Sequence, residues 1–469
     1  MGVCIFKDVK MCFDTFFRTN VVTVLIFICI FVGDYQCVSI MVRDALRDLY
    51  EWKDRSNRKP LVIRGARQVG KTWLMMEFAR VAFDKWVYIN FEDEEILKHV
   101  FETDFNIDRI LKAISLRFDT DIDENTLLIF DEIQAAPRGI TSLKYFCEKA
   151  PQYYVITAGS LLGISMHTGD SFPVGKVDFL NLMPLNFMEF LRASGHDRFA
   201  NLIEESNWDS ISYVKDRIIQ LLRTYYYVGG MPEAVKAFCD GLGYEEVRRI
   251  QSNILMTYEN DFSKHAPVNE VPRIRMVWHS VTSQLAKENR KFIYGMLRQG
   301  ARAKDFEIAI EWLRDAGLIY KVSRTKAGEM PLSAFEDFGT FKIFMLDVGL
   351  MSAMNKLPSS TLLLGNDIFS SYRGALTEQY VCQQLTGLAD LIYYWSADNS
   401  RGEIDFLIQK EDKIIPIEVK AEENLKSKSL AAFVGRYPQL HAIRLSMSDY
   451  REQEWMTNVP LYSACVLFK

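Results

Sequence analysis

The chain lacks an excess of positive charge: its 469 residues include 56 lysines and arginines against 61 aspartates and glutamates. The formal net charge is −5 and the pI is near 5.9. This balance argues against a strongly basic nucleic-acid-binding protein, although it is compatible with local basic patches. The apolar fraction of 49% and the charged fraction of 25% are typical of a soluble globular protein.

Cysteine is scarce and unevenly placed. Four of the eight cysteines lie close to the N-terminus, at positions 4, 12, 29 and 37, and the others are widely scattered. No spacing among the scattered cysteines is typical of a disulfide framework or a metal site. We therefore expect a reducing, cytoplasmic environment.

A long hydrophobic run is also missing. The apolar stretch 21–32 spans about a dozen residues, fewer than the roughly 20 that a membrane-spanning helix needs. It resembles the core of a signal peptide but has no clear cleavage site after it. Since Met41 begins an amphipathic helix pattern, we expect residues 1–40 to be an apolar extension that precedes the true start. A membrane anchor is the less favoured alternative.

The most informative feature is the segment 65–72, which reads Gly-Ala-Arg-Gln-Val-Gly-Lys-Thr. It matches the phosphate-loop pattern G-x-x-x-x-G-K-[ST] at every fixed position. The apolar run 61–63 predicts a buried strand before the loop, and residues 73–80 have the pattern of a helix. This order directs a helix N-terminus towards bound phosphate groups, so we predict a nucleotide site.

Each fixed position of the loop has a chemical role. Gly65 and Gly70 allow tight backbone geometry and close approach of a phosphate. Lys71 is expected to reach the β- and γ-phosphates of a nucleotide. Thr72 is expected to bind Mg²⁺ through its hydroxyl group.

A second motif follows at an apolar strand over residues 127–130, which ends in Asp131 and Glu132. The strand is expected to bring Asp131 beside the phosphate loop, where it can hold Mg²⁺ through water. Glu132 is then placed to polarise an attacking water molecule. The pair favours a nucleotide-hydrolysing enzyme over a protein that only binds nucleotide.

A third strand is predicted over residues 153–160. Ligands of parallel sheets bind at the carboxyl ends of the strands, so Thr157 or Ser160 is a candidate sensor of the γ-phosphate. An ordinary polar turn is an equally good interpretation for either residue. Lys176, further on, is a weaker candidate for nucleotide contact, and a solvated turn lysine is the favoured interpretation.

Residues 303–316 predict an amphipathic helix capped by Gly317, followed by a strand over 318–322. Helix, glycine and strand in this order resemble a winged helix. The nearby basic residues Arg298, Arg302 and Lys304 are candidates for phosphate contact, with a solvated face as the alternative.

The C-terminal region holds a second candidate site. Residues 403–408 and 414–420 predict a hairpin with Asp405 on one strand and Glu418-Val419-Lys420 on the other. Alternation puts Glu418 and Lys420 on one face, and Asp405 is expected opposite them. Two carboxylates suit a divalent metal, and the lysine suits activation of water beside a phosphate. Glu378 is a candidate third carboxylate. This is the pattern of PD-(D/E)xK nucleases; exposed charges on a hairpin are the alternative.

Five blocks together resemble one family of bacterial and archaeal AAA+-type ATPases: residues 67–72, 130–132, 229–233, 341–350 and 418–420. The resemblance covers residue 41 to the C-terminus and implies ATP binding at Gly70, Lys71 and Thr72, with Mg²⁺ as cofactor. It implies hydrolytic roles for Asp131 and Glu132. We expect Gln68, Val69 and Trp73 to line the nucleotide site as well. No arginine finger can be placed, so oligomerisation stays open.

The expected fold is α/β: a P-loop NTPase parallel sheet, then a helical and winged-helix-like region, then a restriction-endonuclease-like domain. The expected boundaries are 41–190 for the ATPase core, 191–270 for a helical lid, 271–355 for the winged-helix-like region and 356–469 for the nuclease-like domain. The expected function is ATP hydrolysis coupled to a domain that binds or cleaves DNA or RNA. The alternative is an ATP-dependent switch whose C-terminal domain binds a protein or DNA without catalysis.

Overall fold

The computed structural model describes the chain in seven segments, residues 42–159, 172–287, 290–364, 370–389, 391–397, 402–422 and 427–468. The chain divides into two units, 1–40 and 41–469, and the fold below is that of the second. The apolar stretch 21–32 and Ser160 lie outside the described residues.

The N-terminal part of the second unit is built on a parallel sheet of five short strands. They are β1 (Leu61–Arg64), β2 (Lys85–Asn90), β3 (Thr126–Asp131), β4 (Tyr154–Ala158) and β5 (Asp178–Asn181). Their order is β2-β3-β4-β1-β5, and every pair is parallel. The predicted P-loop sheet is therefore present, with β4 inserted between β1 and β3.

Helices cover both faces of this sheet. They are α1 (Ala45–Asp54), α2 (Lys71–Ala82), α3 (Ile107–Phe118) and α4 (Gly139–Lys149). Every residue of β3 is buried, and alternation divides its side chains between two cores. Leu127 and Ile129 pack in the core that contains α2, whereas Leu128 and Phe130 pack with α3 and α4. Burial on both faces explains the continuous apolar run in the sequence.

A helical region follows the sheet. Its helices are α5 (Phe187–Ala193), α6 (Asp197–Glu204), α7 (Trp208–Ser212), α8 (Lys215–Val228), α9 (Pro232–Cys239), α10 (Gly243–His265) and α11 (Val271–Leu285). Gly229, with φ of 72°, ends α8, and Pro232 begins α9. Both boundaries follow local rules, because glycine ends helices at positive φ and proline suits the first helical turn.

The remaining elements form an eight-stranded mixed sheet with helices. The strands are β6 (Ile319–Thr325), β7 (Glu336–Met345), β8 (Ile392–Ser396), β9 (Glu403–Lys410), β10 (Lys413–Val419), β11 (Ala442–Ser446), β12 (Arg451–Glu452) and β13 (Met456–Pro460). The helices are α12 (Glu307–Asp315), α13 (Val348–Met354), α14 (Ser359–Leu364), α15 (Ser370–Thr386) and α16 (Lys428–Arg436). The strand order is β12-β13-β11-β10-β9-β8-β6-β7.

The predicted wing is not a separate hairpin. β6 pairs with β7 in antiparallel fashion, and it also pairs with β8 in parallel fashion. The hairpin therefore belongs to the same sheet as the C-terminal strands, because its inner edge is hydrogen-bonded to them. The expected domain boundary between residues 355 and 356 therefore has strands of one sheet on both sides, β6 before it and β8 after it.

The predicted hairpin over 403–420 is present as β9 and β10, which pair from Lys410 and Lys413 at the turn to Phe406 and Ile417. Side chains of α15 pack in the same core as Phe406 and Ile417. Side chains of α16 pack with Leu407 in a second core. The C-terminal part is thus an α/β arrangement around a mixed sheet, and its restriction-endonuclease-like nature stays a prediction.

None of the helices in the described segments combines the length and apolar character required to cross a bilayer.

A first prediction concerns the core of the helical region. Trp278 of α11 is fully buried, edge-on to Tyr258 and Phe262 of α10. We expect Trp278→Ala to lower the unfolding free energy by about 3–5 kcal/mol, measured by urea denaturation, because it leaves a large cavity. Met276→Ala, on the same helix but 40% exposed, should change it by no more than about 0.5 kcal/mol. Similar losses in both variants would contradict this account.

Candidate functional site

The phosphate loop joins β1 to α2 in a backbone conformation that needs glycine at two positions. Gly65 has a φ of 149° and Gly70 a φ of 94°, both in the region that disfavours residues with a side chain. A Cβ on Gly65 would lie 2.3 Å from the carbonyl oxygen of Leu182, just after β5. Neither position accommodates another residue without rearrangement.

Lys71 is the first residue of α2, and its side chain bends back into the loop. Its Nζ donates hydrogen bonds to the carbonyl oxygens of Gly65 and Ala66, each at 2.9 Å. Burial lowers the pKa of Lys71 to about 8, and the carboxylates of Glu132 and Asp131 partly offset that effect. The ammonium group therefore already lies inside the loop, in reach of a phosphate bound there.

Three distant side chains hold the loop. Arg43, which precedes α1, donates from Nη1 to the carbonyl oxygen of Val69 at 3.0 Å. Tyr258 of α10 donates to the carbonyl oxygen of Arg67 at 2.8 Å, and Asp261 of the same helix pairs with the Arg67 guanidinium at 2.8 Å. In phosphate loops the N–H groups cradle the anion. Because Arg43 and Tyr258 bind two carbonyl oxygens of the loop, those oxygens are held by the protein and the N–H groups are left to face an anion.

The other loop positions expected to contact nucleotide differ in exposure. The Val69 side chain is fully buried in the core. Gln68 is exposed and has a φ of 67°, and Trp73 is 39% exposed. Val69 can therefore meet a ligand through its backbone only, whereas Gln68 and Trp73 have accessible side chains.

Thr72 and Asp131 lie side by side, although 59 residues separate them. Thr72 Oγ1 donates to Asp131 Oδ2 at 2.7 Å, and Tyr88 of β2 donates to the same oxygen at 3.0 Å. Burial raises the pKa of Asp131, and the bonds from Thr72 and Tyr88 oppose the rise. A hydroxyl and a carboxylate together are hard oxygen ligands of the kind that Mg²⁺ prefers. This pair fits a magnesium ion shared with nucleotide phosphates.

Glu132 follows Asp131 in a left-handed conformation, with a φ of 48°. Its carboxylate accepts a hydrogen bond from the Gln134 side chain. A non-glycine residue at positive φ is a mark of local strain, and such strain clusters at functional sites. Here the turn reverses the chain directly after β3 and keeps Glu132 at the sheet edge.

Two weaker candidates, Thr157 and Lys176, have partners within the protein. Thr157 is fully buried in β4 and donates its hydroxyl to the carbonyl oxygen of Phe130 at 2.7 Å, so its hydroxyl serves the sheet. Lys176 lies before β5, at the opposite edge of the sheet, where it pairs with Glu148 at 2.9 Å. The favoured interpretation of Lys176 as a surface lysine agrees with this position. Ser160 lies outside the described residues.

Sequence reasoning missed Arg43 and its partner Glu189. Both are buried, and Arg43 Nε lies 3.0 Å from Glu189 Oε1. Glu189 also closes a capping box with Asn186 at the start of α5. The spacing Asn-x-x-Glu was a visible signal for that helix start. No sequence signal connects it to an arginine 146 residues away.

A cavity of about 820 Å³ lies beside the loop, between the parallel sheet and the α12–β6 segment. Gly65, Ala66 and Gly159 line one wall, and Gly317 and Tyr320 line the other. Gly317 approaches the loop closely: a Cβ there would lie 3.2 Å from the Ala66 nitrogen. The C-terminal half of the chain thus forms one wall of a small-molecule-sized cavity next to the phosphate loop.

A buried ion cluster lies in the C-terminal part. Lys342 of β7 is fully buried, with Nζ 2.5 Å from Glu403 Oε1 and 3.7 Å from Glu378 Oε2. Arg290 pairs with the other carboxylate oxygen of Glu378. Burial and the negative charge of Asp405 raise the pKa of Glu378 to about 8, against the effect of the two cations. Lys342 and Arg290 therefore contact the carboxyl groups of this cluster but offset only part of the effect of burial and of Asp405 on Glu378.

Glu418 has different neighbours. It is 5% exposed, pairs with Lys420 at 2.8 Å and lies opposite Arg444 in the β10–β11 register. Ile417 and Val419 pack in the core beneath α15, so alternation turns Glu418 to the other face of the sheet.

The contacts of Asp405 lie with the backbone of β10 and with the ion cluster. Asp405 Oδ2 accepts a hydrogen bond from the Val419 nitrogen at 2.7 Å, and its charge acts on the ion cluster. The alternation of β9 is disturbed here, because its pairing with β8 shifts between Tyr393 and Trp395. Over the described segments, no group of three or more His, Cys, Asp or Glu residues is placed to hold a metal ion. The predicted metal roles of Asp405 and Glu418 gain no support.

The basic residues of the predicted winged-helix region, Arg298, Arg302 and Lys304, are all exposed. The next helix, α12, carries Glu311 and Asp315, which pair with its own Arg314. The solvated-face interpretation fits this mixed surface, and nucleic-acid contact stays a prediction.

The glycine loop, the acidic end of β3 and the parallel sheet with its helices match a P-loop NTPase fold. In agreement, residues 57–191 match the family described as an AAA domain. Residues 219–361 match a Domain of unknown function (DUF8612), and residues 373–463 match a Domain of unknown function (DUF4143). The first match supports an AAA-type P-loop domain over residues 57–191, and the other two leave the nuclease-like domain a prediction.

Several solved structures align with the chain at low similarity. A Walker-type ATPase of Pyrococcus abyssi shares 14% identity over 67% of this chain and 96% of its own, with a TM-score of 0.43. The Aeropyrum pernix Orc1 protein, solved in complex with DNA, shares 12% over 68% and 93%, with a TM-score of 0.26. Cdc6p of Pyrobaculum aerophilum shares 11% over 68% and 93%, with a TM-score of 0.24. These likenesses are too distant to support an argument about function.

A comparison with curated protein sequences finds no match.

The lowered pKa of Lys71 predicts a pH dependence for the nucleotide-free protein. Folding is opposed below about pH 8, where the buried lysine is charged, and this penalty disappears as pH rises towards the ordinary pKa of 10.5. Relative to Lys71→Met, the parent should therefore gain unfolding free energy between these pH values, by an amount on the order of 3 kcal/mol. Urea denaturation of both proteins at several pH values measures the difference. A pH-independent difference would contradict the burial of the ammonium group.

Proposed function

We propose that this chain hydrolyses ATP at the phosphate loop and uses the cycle as a switch for its C-terminal part. The observation that carries the proposal is the contact between Thr72 and Asp131. It supports the proposal because a hydroxyl and a carboxylate of the kind that Mg²⁺ prefers lie together beside Lys71, at the start of α2 and the end of β3. That is the arrangement of parts on which phosphoryl transfer by P-loop enzymes depends.

The residues of the loop would bind and orient the phosphates. Lys71 would exchange its bonds with the Gly65 and Ala66 carbonyl groups for bonds to the β- and γ-phosphates. The N-terminus of α2 adds its dipole to the attraction. Thr72 and Asp131 would hold Mg²⁺, which neutralises charge on the phosphate oxygens when bound.

Glu132 would align the attacking water and take its proton. Its carboxylate follows the Mg²⁺ ligand Asp131 directly, and Gln134 restrains it. Removing a positioned general base typically slows a reaction by about 10²–10⁴-fold. The hydrolytic role therefore has a kinetic signature distinct from binding.

For the C-terminal part we propose a binding role without metal-dependent cleavage. The buried ammonium of Lys342 lies between Glu378 and Glu403, where a metal-dependent nuclease would need open carboxylate oxygens. Glu418 lies on the other face of the sheet from Ile417, beside Arg444. Glu418 is thus turned away from α15, the helix that carries Glu378. This favours the switch over the nuclease among the two functions that the sequence left open.

Two variants test the ATPase. Lys71→Ala should abolish binding or hydrolysis, since it removes the phosphate-binding cation. Glu132→Gln should bind ATP like the parent but hydrolyse it about 10²–10⁴-fold more slowly, because the amide cannot take the proton. Binding is measured by equilibrium dialysis with radiolabelled ATP, and turnover by phosphate release. Hydrolysis at the parent rate by Lys71→Ala would refute the assignment.

A cleavage assay tests the C-terminal role. We expect the full chain with ATP and Mg²⁺ or Mn²⁺ to leave plasmid, single-stranded DNA and RNA intact, because Arg290 and Lys342 already contact the carboxyl groups of Glu378 and Glu403. Phosphate release with and without each nucleic acid then shows whether any of them stimulates the ATPase.

Cleavage would overturn this role if it is lost in Asp405→Ala and Lys420→Ala but kept in Lys413→Ala. Lys413 is a suitable control because it is an exposed lysine at the turn of the same hairpin.

A further inference from the structure

Two blocks of the family resemblance that the ATPase chemistry does not use are in direct contact. They are the segment 229–233 after α8 and the segment 341–350 that leads into α13. Asp347 Oδ2 accepts a hydrogen bond from the Gly230 nitrogen at 2.6 Å. A Cβ on Gly349 would lie 2.6 Å from the Gly229 nitrogen, so a side chain there would push the segments apart.

Asp347 is fully buried at the centre of this contact. Its Oδ1 accepts from the Leu350 nitrogen at 2.9 Å and caps α13, and its Oδ2 also accepts from Gln383 Nε2 at 3.1 Å. A Cβ on Gly229 would lie 2.2 Å from Asp347 Oδ1. The carboxylate therefore joins three elements: the segment 229–233, α13 and α15.

The other side of segment 229–233 lies against the phosphate loop. Pro232 Cγ is 3.4 Å from the position that a Cβ on Gly70 would take. The Gly230 carbonyl accepts a hydrogen bond from the Leu185 nitrogen at 2.7 Å. The segment is thus held between Asp347 on one side and the loop residue that precedes Lys71 on the other.

The contact continues into the C-terminal part through α15. This helix carries Gln383, bonded to Asp347, and five residues earlier Glu378 of the ion cluster. A second glutamine of the helix, Gln379, is bonded to both the nitrogen and the carbonyl oxygen of Met345. Gln379 therefore also fixes α15 to the segment 341–350, but its two bonds end at Met345 and do not reach segment 229–233.

We propose that Asp347 is a positioning residue for nucleotide binding, which holds segment 229–233 against the phosphate loop and so couples α15 to the ATP site. This proposal rests on the proposed function, since it requires that the loop binds ATP. Coupling is reciprocal: if the position of α15 alters ATP affinity, then bound ATP must stabilise α15. Contact alone does not demonstrate coupling, so the test must measure it.

The test compares Asp347→Asn with Gln379→Ala in the full chain. In Asp347→Asn an NH₂ group replaces one carboxylate oxygen. It then faces N–H donors from which it cannot accept a hydrogen bond. We expect its Kd for ATP with Mg²⁺ to rise about tenfold or more, within the usual range of coupling between sites. Gln379→Ala should leave that Kd within about twofold of the parent, although it also removes buried hydrogen bonds from α15. Equilibrium dialysis gives the Kd, and thermal unfolding shows whether the two variants are comparably destabilised.

Hydrogen exchange of the parent supplies a second measurement that needs no variant. ATP with Mg²⁺ should slow exchange of the amides of Gly230, Leu350 and the central turns of α15. Equal changes of Kd in both variants, or an unchanged Kd in Asp347→Asn, would overturn the proposal. If Asp347→Asn does not fold, an absence of protection at Leu350 and α15 overturns it. A parent that binds no ATP would refute the proposed function instead.

Discussion

The polarity of the phosphate loop depends on hydrogen bonds to its carbonyl groups. The donors come from the loop itself, from the segment before α1 and from α10. Lys71 takes two of these carbonyl groups from within the loop, Arg43 takes a third from before α1, and Tyr258 takes a fourth from α10. A carbonyl facing the phosphates would repel them, so this bonding sets the polarity of the site. The parallel sheet places the loop, and α10 of the helical region holds it through Tyr258 and Asp261.

The C-terminal part solves a different electrostatic problem. Its mixed sheet buries several carboxylates, and a buried charge is costly unless it is paired. Here the partners are protein cations, chiefly Lys342 and Arg290. Such internal pairing makes the cluster a fixed part of the core of this C-terminal module. The buried carboxylate of Asp347 links that module to the segment beside the loop.

Much of the fold could be predicted from local patterns. The strand–loop–helix around Lys71, the strand ending at Asp131, the Gly229 and Pro232 helix boundaries and the β9–β10 hairpin all follow from alternation, caps and turn residues. Hairpin patterns do not show that β6 also pairs with β8, which joins the predicted wing to the C-terminal sheet. Strict alternation also could not show that the β8–β9 register shifts near Asp405.

By itself the sequence determined the strand–loop–helix geometry of the phosphate loop, because the residues from Gly65 to Thr72 are contiguous and their backbone requirements are local. It also determined that an acidic pair ends a buried strand. Only the tertiary structure decided which distant groups complete these sites: Arg43 on the loop, Lys342 among the carboxylates and Asp347 on Gly230. Each of these contacts joins segments that are far apart in the chain, and their side chains carry no local periodicity that marks the partner. Their pairing follows from burial, which forces each polar group in the core to find a partner wherever the fold brings one.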